Sequence, residues 1–234
     1  RKGNLEVVEA LLECGASIDE SDRHGKTALM FSAEAGHVGT VRSLIEADAR
    51  IDARTNLGRS ALMFAATAKV TELLLAEGAE VEARDGSGRT SLILAASAQV
   101  AAVLLDAGAD PNAADDEGNT PLMCAANDDD PDFLALLLEI GADSHAITRS
   151  GRTALMFATT AEIVGALVKA GVDVHATDEA GNSALHRVAG EEAVVRALLD
   201  VGVRADAKNN AGQTALSLAT TAGLQAVAKV FKRG

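Results

Sequence analysis

The chain has 234 residues, of which 48% are hydrophobic and 24% charged, and its formal net charge is −13. A field of that sign repels duplex nucleic acid and anionic membranes on average, so neither is an expected partner. No apolar run reaches the roughly 18 residues of a membrane-spanning helix and no leader-like stretch is evident, so a reducing intracellular compartment, such as the cytoplasm, is expected.

Residues 1–24 open in mid-unit: GNLEVVEALLECGA, from Gly3, reads as the second helix of a pair whose first helix is missing. From Gly25 a short signature recurs. It reads GKTAL there, then GRSAL at Gly58, GRTSL at Gly88, GNTPL at Gly118, GRTAL at Gly151, GNSAL at Gly181 and GQTAL at Gly212. Its Thr or Ser stands at 27, 60, 90, 120, 153, 183 and 214, at spacings of 33, 30, 30, 33, 30 and 31 residues. A fixed period in this range marks an array of one supersecondary unit. The expectation is a single repeat domain over 1–234. It has a partial unit over 1–24, units anchored at 27, 60, 90, 120, 153 and 183, and a capping unit over 214–234.

Each unit reads as helix, turn, helix and hairpin-like finger. The Thr or Ser is an N-cap, its oxygen accepting an orphan N–H of the first turn. Pro121 sits in the following slot, where a missing N–H costs nothing. Leu62, Ala65 and Ala66 form one apolar stripe, and Val70, Leu73 and Leu74 face inward from a second helix. Gly78 ends that helix in a left-handed slot. The pairs Ala65–Ala66, Ala95–Ala96 and Ala125–Ala126 allow a neighbouring unit to approach at the short end of the ~8–10 Å helix-packing range. One unit cannot cover its own apolar face, so stacking must supply the stability. The predicted fold class is an all-α repeat solenoid with several repeats shortened to about 30 residues.

The units differ. Those at Thr27 and Thr120 have full-length inner turns, AEAGHVGTV and ANDDDPDFL, whereas ATAKV, ASAQV and TTAEI in the units at Ser60, Thr90 and Thr153 are three residues shorter, and the unit at Ser183 lacks two. Placing the deletion in the helix–helix turn predicts unchanged helix lengths. Asp48 replaces the helix-ending glycine, a left-handed slot that Asp tolerates at some cost. Asp128, Asp129 and Asp130 before Pro131 complement a helix dipole; a calcium loop would need alternating ligands and a glycine. In the last unit Gln225, Lys229, Lys232 and Arg233 suit a polar outer face. Cys14 and Cys124 fall in different repeats and read as reduced, semi-buried thiols.

TPLMCAA at Thr120 and SALHRVA at Ser183 resemble the T-P-L-H-x-A signature of ankyrin repeats, and the resemblance spans essentially the whole chain. It implies that the finger and inner-helix positions face a concave groove and choose a partner protein. It also implies that His186 bridges neighbouring loops and that His37 is structural in the turn between helices. The slot before each anchor holds Lys26, Arg59, Arg89, Asn119, Arg152, Asn182 and Gln213, with Arg23, Asn56 and Arg149 at adjacent finger tips. Asp115, Asp116 and Glu117 break this basic edge.

The candidate partner-binding residues are therefore Arg23, Lys26, Asn56, Arg59 and Arg89, followed by Asp116, Glu117, Asn119, Arg149 and Arg152. An acidic segment of another protein fits the basic slots. Against it stands plain pairing of these cations with Asp85 or Asp115 in solvent, worth ~0–1 kcal/mol. Phe31, Phe64 and Phe157 share one slot, each after Met30, Met63 or Met156. That strip reads as packing, with a pliable apolar contact surface as the alternative.

No catalytic grouping is visible. The five histidines do not converge, and Ser97, Thr159 and Thr160 lack a histidine at fixed spacing. No glycine loop of phosphate-cradling pattern occurs. Catalytic residues, cofactor sites and metal ligands are therefore not expected. The competing function is an enzyme with a small-molecule pocket in the groove, where carboxylates facing arginine would do acid–base work. A deep pocket would favour that function, and a shallow open groove would favour the binder.

Overall fold

The computed structural model describes Ala10, residues 14–187 and residues 191–231. These form two compact units, Arg1–Asp116 and Glu117–Gly234. Their regular elements are helical, with isolated bridges at Ser21–Thr27, Ile147–Thr153 and Lys208–Thr214. No described helix is long and apolar enough to cross a membrane.

The first unit holds an inner helix α1 (Ala28–Glu34), an outer helix α2 (Val38–Glu46), a 3₁₀ turn (Leu62–Phe64), and outer helices α3 (Ala68–Ala76) and α4 (Ala98–Asp106). The second holds α5 (Pro121–Asn127), α6 (Pro131–Glu139), a 3₁₀ turn (Ala154–Phe157) and α7 (Ala161–Lys169). It continues with α8 (Ala184–Arg187), α9 (Glu192–Asp200), α10 (Ala215–Thr221) and α11 (Gln225–Phe231). The expected partial helix of residues 1–13 lies outside the described residues apart from Ala10.

The three-residue deletion comes out of the inner helix, not the turn. All of α2, α3, α4, α6 and α7 keep nine residues, while the inner segments at Ser60 and Thr153 shrink from the seven-residue helices of α1 and α5 to 3₁₀ turns of three and four residues. The reason is register. Val41 and Leu44, Val70 and Leu74, and Val100 and Leu104 are all at most 2% exposed, and each must meet its counterpart in the neighbouring repeat. Burying one such side chain contributes roughly 1.5–3 kcal/mol, so the outer helix is preserved. The inner helix gives up its second turn, and the chain turns extended at Ala65 (ψ 111°) and Ala158 (ψ 125°). New caps follow: Thr67, Ser97 and Thr160 accept hydrogen bonds from Val70 N, Val100 N and Ile163 N, each at 3.4 Å.

The anchor caps work in part. Thr90 and Thr120 accept from Ile93 N and Met123 N, and Thr214 closes a capping box with Ser217. The hydroxyls of Thr27, Ser60 and Thr153 are buried without a hydrogen-bond partner. In each of those repeats a methionine (Met30, Met63, Met156) stands three residues on, buried in the core. In the repeat at Ser183 the same slot is His186. Its Nδ1 accepts from Ser183 N and lies 2.9 Å from Ser183 Oγ, so Nε2 donates to the carbonyl of Gln213 in the next finger at 3.1 Å.

Asp48 is left-handed, at φ 64°, as its slot requires. Asp129, at φ 55°, is a second such residue; it stands where the other full-length turns have Gly36 (φ 68°) and Gly223 (φ 74°), and it accepts from Thr160 Oγ1 at 2.9 Å. Asp130 caps α6 through Phe133 N. Among the described residues neither cysteine forms a disulfide. Cys124 is half-buried as expected, but Cys14 is exposed.

Six fingers close on a side chain five residues before their anchor. Asp22, Thr55, Asp85, Thr148, Asp178 and Asn209 accept the N–H four residues on, at Lys26, Arg59, Arg89, Arg152, Asn182 and Gln213. Successive fingers then touch backbone to backbone. In the first unit Asn56 N donates to His24 O, Gly86 N to Leu57 O and Asp116 N to Ser87 O; in the second, Arg149 N donates to Glu117 O, Glu179 N to Ser150 O and Asn210 N to Ala180 O.

Gly88 shows what that contact demands. Its φ is +76°, and an added Cβ would lie 2.9 Å from Asp116 N and 2.6 Å from Asp116 Oδ1. Gly108, at φ +92°, has nothing within 4 Å of an added Cβ. Gly108→Ala should therefore cost only the left-handed penalty of roughly 1–2 kcal/mol. Gly88→Ala should cost clearly more, measured as the shift in urea midpoint; equal costs would show that the fingers yield freely. A second pair of variants tests the buried hydroxyls. His186→Met should destabilise by about 1–2 kcal/mol, because Ser183 Oγ and the Gln213 carbonyl lose their partner. Met63→His should raise the thermal midpoint by giving Ser60 Oγ one. A fall in both would mean that methionine packing outweighs the hydrogen bonds.

Candidate functional site: fingers and inner helices

In the first unit the basic slot is brought together with the aromatic one. Lys26 Nζ lies 4.6 Å from the ring centroid of Phe31 and 4.2 Å from that of Phe64, and Arg59 Cζ lies 6.0 Å from Phe64. Phe31 is 47% exposed, whereas Met30 beside it is fully buried. The Met–Phe strip thus divides: the methionines pack the core, whereas Phe31 is exposed and Phe64 and Phe157 are half-buried. Such cation–π contacts contribute ~0.5–1 kcal/mol at exposed sites.

The cations are not free point charges. Lys26 pairs with the half-exposed Glu34. Arg59 Nε reaches Asp85 Oδ2 at 3.2 Å, and Arg89 reaches the same oxygen through Nη2 at 2.8 Å and Nε at 3.0 Å. The Asp85 side chain is 1% exposed, while those of Arg59 and Arg89 are 27% and 29% exposed. Burial pushes the Asp85 carboxyl up, but the Arg89 side chain and the N–H groups of Ser87 and Arg89 together hold it below its ordinary range. Pairing with Asp85 is therefore real, but it is a buried contact and not a solvated one.

The other predicted residues have more structural duties. Asn56 spends its side-chain amide on the carbonyl of Arg23 at 3.0 Å, stapling two fingers, and Arg23 Nε donates to His24 Nε2. Asp116 is exposed and presents its backbone to Gly88. In the second unit Glu117 and Arg149 share the finger-to-finger hydrogen bond, and Asn119 is half-buried. Arg152 is half-buried too, with its Nε enclosed and unpartnered among the described residues.

Sequence reasoning missed the second unit's organising carboxylate. Asp178, 1% exposed, is bound by Arg187 through Nε at 3.0 Å and through Nη2, by Asn182 N at 2.8 Å and by Ala180 N at 3.0 Å. Burial raises its pKa, but Arg187 and Asn182 outweigh that and bring it from 3.8 to about 2. Arg187 occupies the slot of Phe31 and Phe64, four residues past the anchor. The repeat period carried the signal, since Asp85 and Asp178 share one slot, as do Asp22, Asp115 and Asn209.

Among the described residues no group of three or more His, Cys, Asp or Glu could hold a metal ion. Beside the shortened inner segment at Thr153 lies a cavity of about 220 Å³, lined by Met156, Phe157, Thr159 and Arg187. That is smaller than the ~300–1,000 Å³ usual for small-molecule pockets, whereas a second cavity of about 420 Å³, lined by His175, Thr177, Ser183 and Arg204, falls within that range.

A family model described as ankyrin repeats (3 copies) matches residues 1–85, 52–115, 92–178 and 159–233. Among solved structures, the crystal structure of the ankyrin repeat domain of Bcl-3, a unique member of the IkappaB protein family, is similar to this chain. Its TM-score is 0.65 at 30% identity, covering 91% of this chain and 100% of that one. No curated protein matches the sequence.

The depressed carboxyl of Asp178 has a pH consequence. A carboxylate whose folded pKa lies below its unfolded value stabilises the fold fully above the unfolded value, and loses that contribution as pH falls through the folded one. Here the window runs from near 3.8 down to about 2. The shift corresponds to on the order of 2 kcal/mol. Between pH 5 and pH 2 the parent should lose more stability than Asp178→Asn in urea melts. Parallel losses would show that the carboxylate is not held as described.

Proposed function

The chain belongs to the ankyrin-repeat family, and we propose that it is a protein-interaction scaffold, not an enzyme, that holds a segment of a partner protein against the fingers and inner helices of its first unit. The observation that carries this is the exposed Phe31 ring, with Lys26 over it and over Phe64, beside Arg59 and Arg89. Nothing in the stacking of repeats calls for a large aromatic ring in water at this slot; an apolar surface framed by cations is what a partner segment uses.

Charge favours an acidic segment. Arg59 and Arg89 share the single carboxylate of Asp85, which leaves one positive charge in excess on a chain of net charge −13. The chain has no Trp or Tyr, two of the usual anchors of an interface. Phe and Arg must carry that role here, or the partner must bring the aromatic group. A nucleic acid or membrane partner is disfavoured by the overall field.

The buried Asp85 governs how this is tested. Removing both arginines would strand a buried carboxylate at a cost of ~3–5 kcal/mol, and the fold would suffer with the binding. Phe31→Ala and Lys26→Ala avoid this, since neither side chain pairs with Asp85: Phe31 is exposed, and Lys26 pairs with the half-exposed Glu34. Proteins captured by the parent chain should be lost or weakened with either variant. They should be retained with Glu72→Gln on the outer helix, where Glu72 pairs with the exposed Lys69. Capture that is indifferent to Phe31 and Lys26, with unchanged melting curves, would remove this face as the binding surface.

A further inference from the structure

The arrangement around Asp85 points to a more specific ligand group than a carboxylate. We propose that Arg59 and Arg89, with Lys26, read a phosphate monoester: a phosphorylated side chain on the partner segment. This rests on the protein-binding function proposed above and adds the chemistry that the site selects.

Asp85 is a fixed post with no capacity to spare. Its Oδ1 accepts from Ser87 N at 2.9 Å and Arg89 N at 3.1 Å. Its Oδ2 takes Arg59 Nε at 3.2 Å and Arg89 Nη2 at 2.8 Å. Buried and fully occupied, the carboxylate holds two guanidinium groups from successive fingers side by side and is not displaced by an incoming anion. Ordering those two side chains in advance lowers the entropy lost when a ligand binds.

The donors left over match a tetrahedral anion. Among the described residues, Arg59 Nη1 and Nη2 and Arg89 Nη1 make no hydrogen bond, and both side chains are more than a quarter exposed. A carboxylate has two oxygens, which one guanidinium fork satisfies. A phosphate monoester has three, enough to engage both forks and an ammonium together.

Charge selects in the same direction. The two arginines and Asp85 leave one excess positive charge, and Lys26 supplies a second once its half-exposed partner Glu34 swings away. A phosphate monoester carries about −1.5 to −2 near pH 7, whereas a carboxylate answers only half of that field. Lys26 and Arg59 lie 4.2 Å and 6.0 Å from the Phe64 centroid, and Arg89 joins Arg59 on the Asp85 carboxylate. The second unit lacks the pair: the slots of Arg59 and Arg89 hold Arg152 and Asn182 there, and Arg187 is spent on Asp178.

The test uses the full chain and two small probes, phenyl phosphate and benzoate, followed through the arginine Nε–Hε resonances. At pH 7.5 the signals of Arg59 and Arg89 should respond to phenyl phosphate at concentrations at least tenfold lower than to benzoate. That advantage should shrink below pH 6, where the ester dianion takes up a proton and its charge falls to −1. Arg59→Lys and Arg89→Lys keep a cation on Asp85 but remove the fork, and each should abolish the preference. Should either variant fail to fold, Lys26→Ala leaves Asp85 untouched and should weaken phenyl phosphate more than benzoate. Equal responses to the two probes would overturn phosphate selection and leave the acidic-segment reading standing. No response at these arginines to either probe would overturn both.

Discussion

The architecture depends on one close contact: within each unit the backbone of a finger meets the backbone of the next. One N–H to C=O bond joins each such pair, as from Gly86 N to Leu57 O at 2.8 Å. There is no room for a side chain at the crossing. A Cβ on Gly58 would lie 2.9 Å from Gly86 N, and one on Gly25 would lie 2.9 Å from Asn56 N. These glycines serve two constraints at once, a positive φ and a near neighbour, whereas the helix-ending Gly78 and Gly108 serve only the first. The finger is in turn shaped by the acceptor five residues before each anchor, which fixes the loop so that its edge can be offered to the neighbour.

This explains what the sequence made legible and what it hid. The period, the anchors and the order of helices followed from the recurrence of glycine, Thr or Ser and Leu, because those residues answer backbone constraints that every unit shares. The left-handed Asp48 was legible for the same reason: it stands where other units place glycine. Asp129 stands in the slot that Gly36 and Gly223 fill in the other full-length turns, nine residues past the anchor, but as one of three successive aspartates before Pro131 it reads first as a complement to the helix dipole. The fate of the deletion was hidden for a deeper reason. A missing triplet can be absorbed by turn or helix with the same sequence alignment. The choice falls to packing: Leu74 and Leu104 are wholly buried and immovable, while the second turn of an inner helix is expendable. Thr67 and Thr160 then become caps, a role that local sequence does not distinguish from a loop threonine.

At the candidate site the sequence aligned the residues but did not give their state. Lys26, Arg59 and Arg89 share one slot, yet a slot says nothing of whether a cation is solvated or tied to a buried partner. That distinction comes from depth. Asp85 and Asp178 are each 1% exposed at the side chain, and a carboxylate so buried must recruit cations to remain charged. In the first unit it recruits the residues just before two anchors; in the second it recruits Arg187 from the inner helix. One structural demand has two solutions, and period alone could not choose between them.

Variation among the repeats of this single chain therefore separates duty from freedom. The slot five residues before the anchor always carries a side-chain acceptor, Asp, Thr or Asn, because the finger cannot close without one. The slot four residues after it reads Phe31, Phe64, Leu94, Cys124, Phe157, Arg187 and Leu218, a range of chemistry that no shared packing rule would tolerate. The two slots nevertheless face each other, since Arg187 reaches Asp178 at 3.0 Å. Where that acceptor is a buried carboxylate, as at Asp85 and Asp178, a surface forms in which a fixed anion stands opposite a freely varied side chain. The anion positions whatever cations are present, and the varied slot sets how apolar their surroundings are. Specificity on such a scaffold is written in the irregular slot and held in place by the regular one. Phe31 and Phe64 beside Arg59 and Arg89 are one instance of that division of labour.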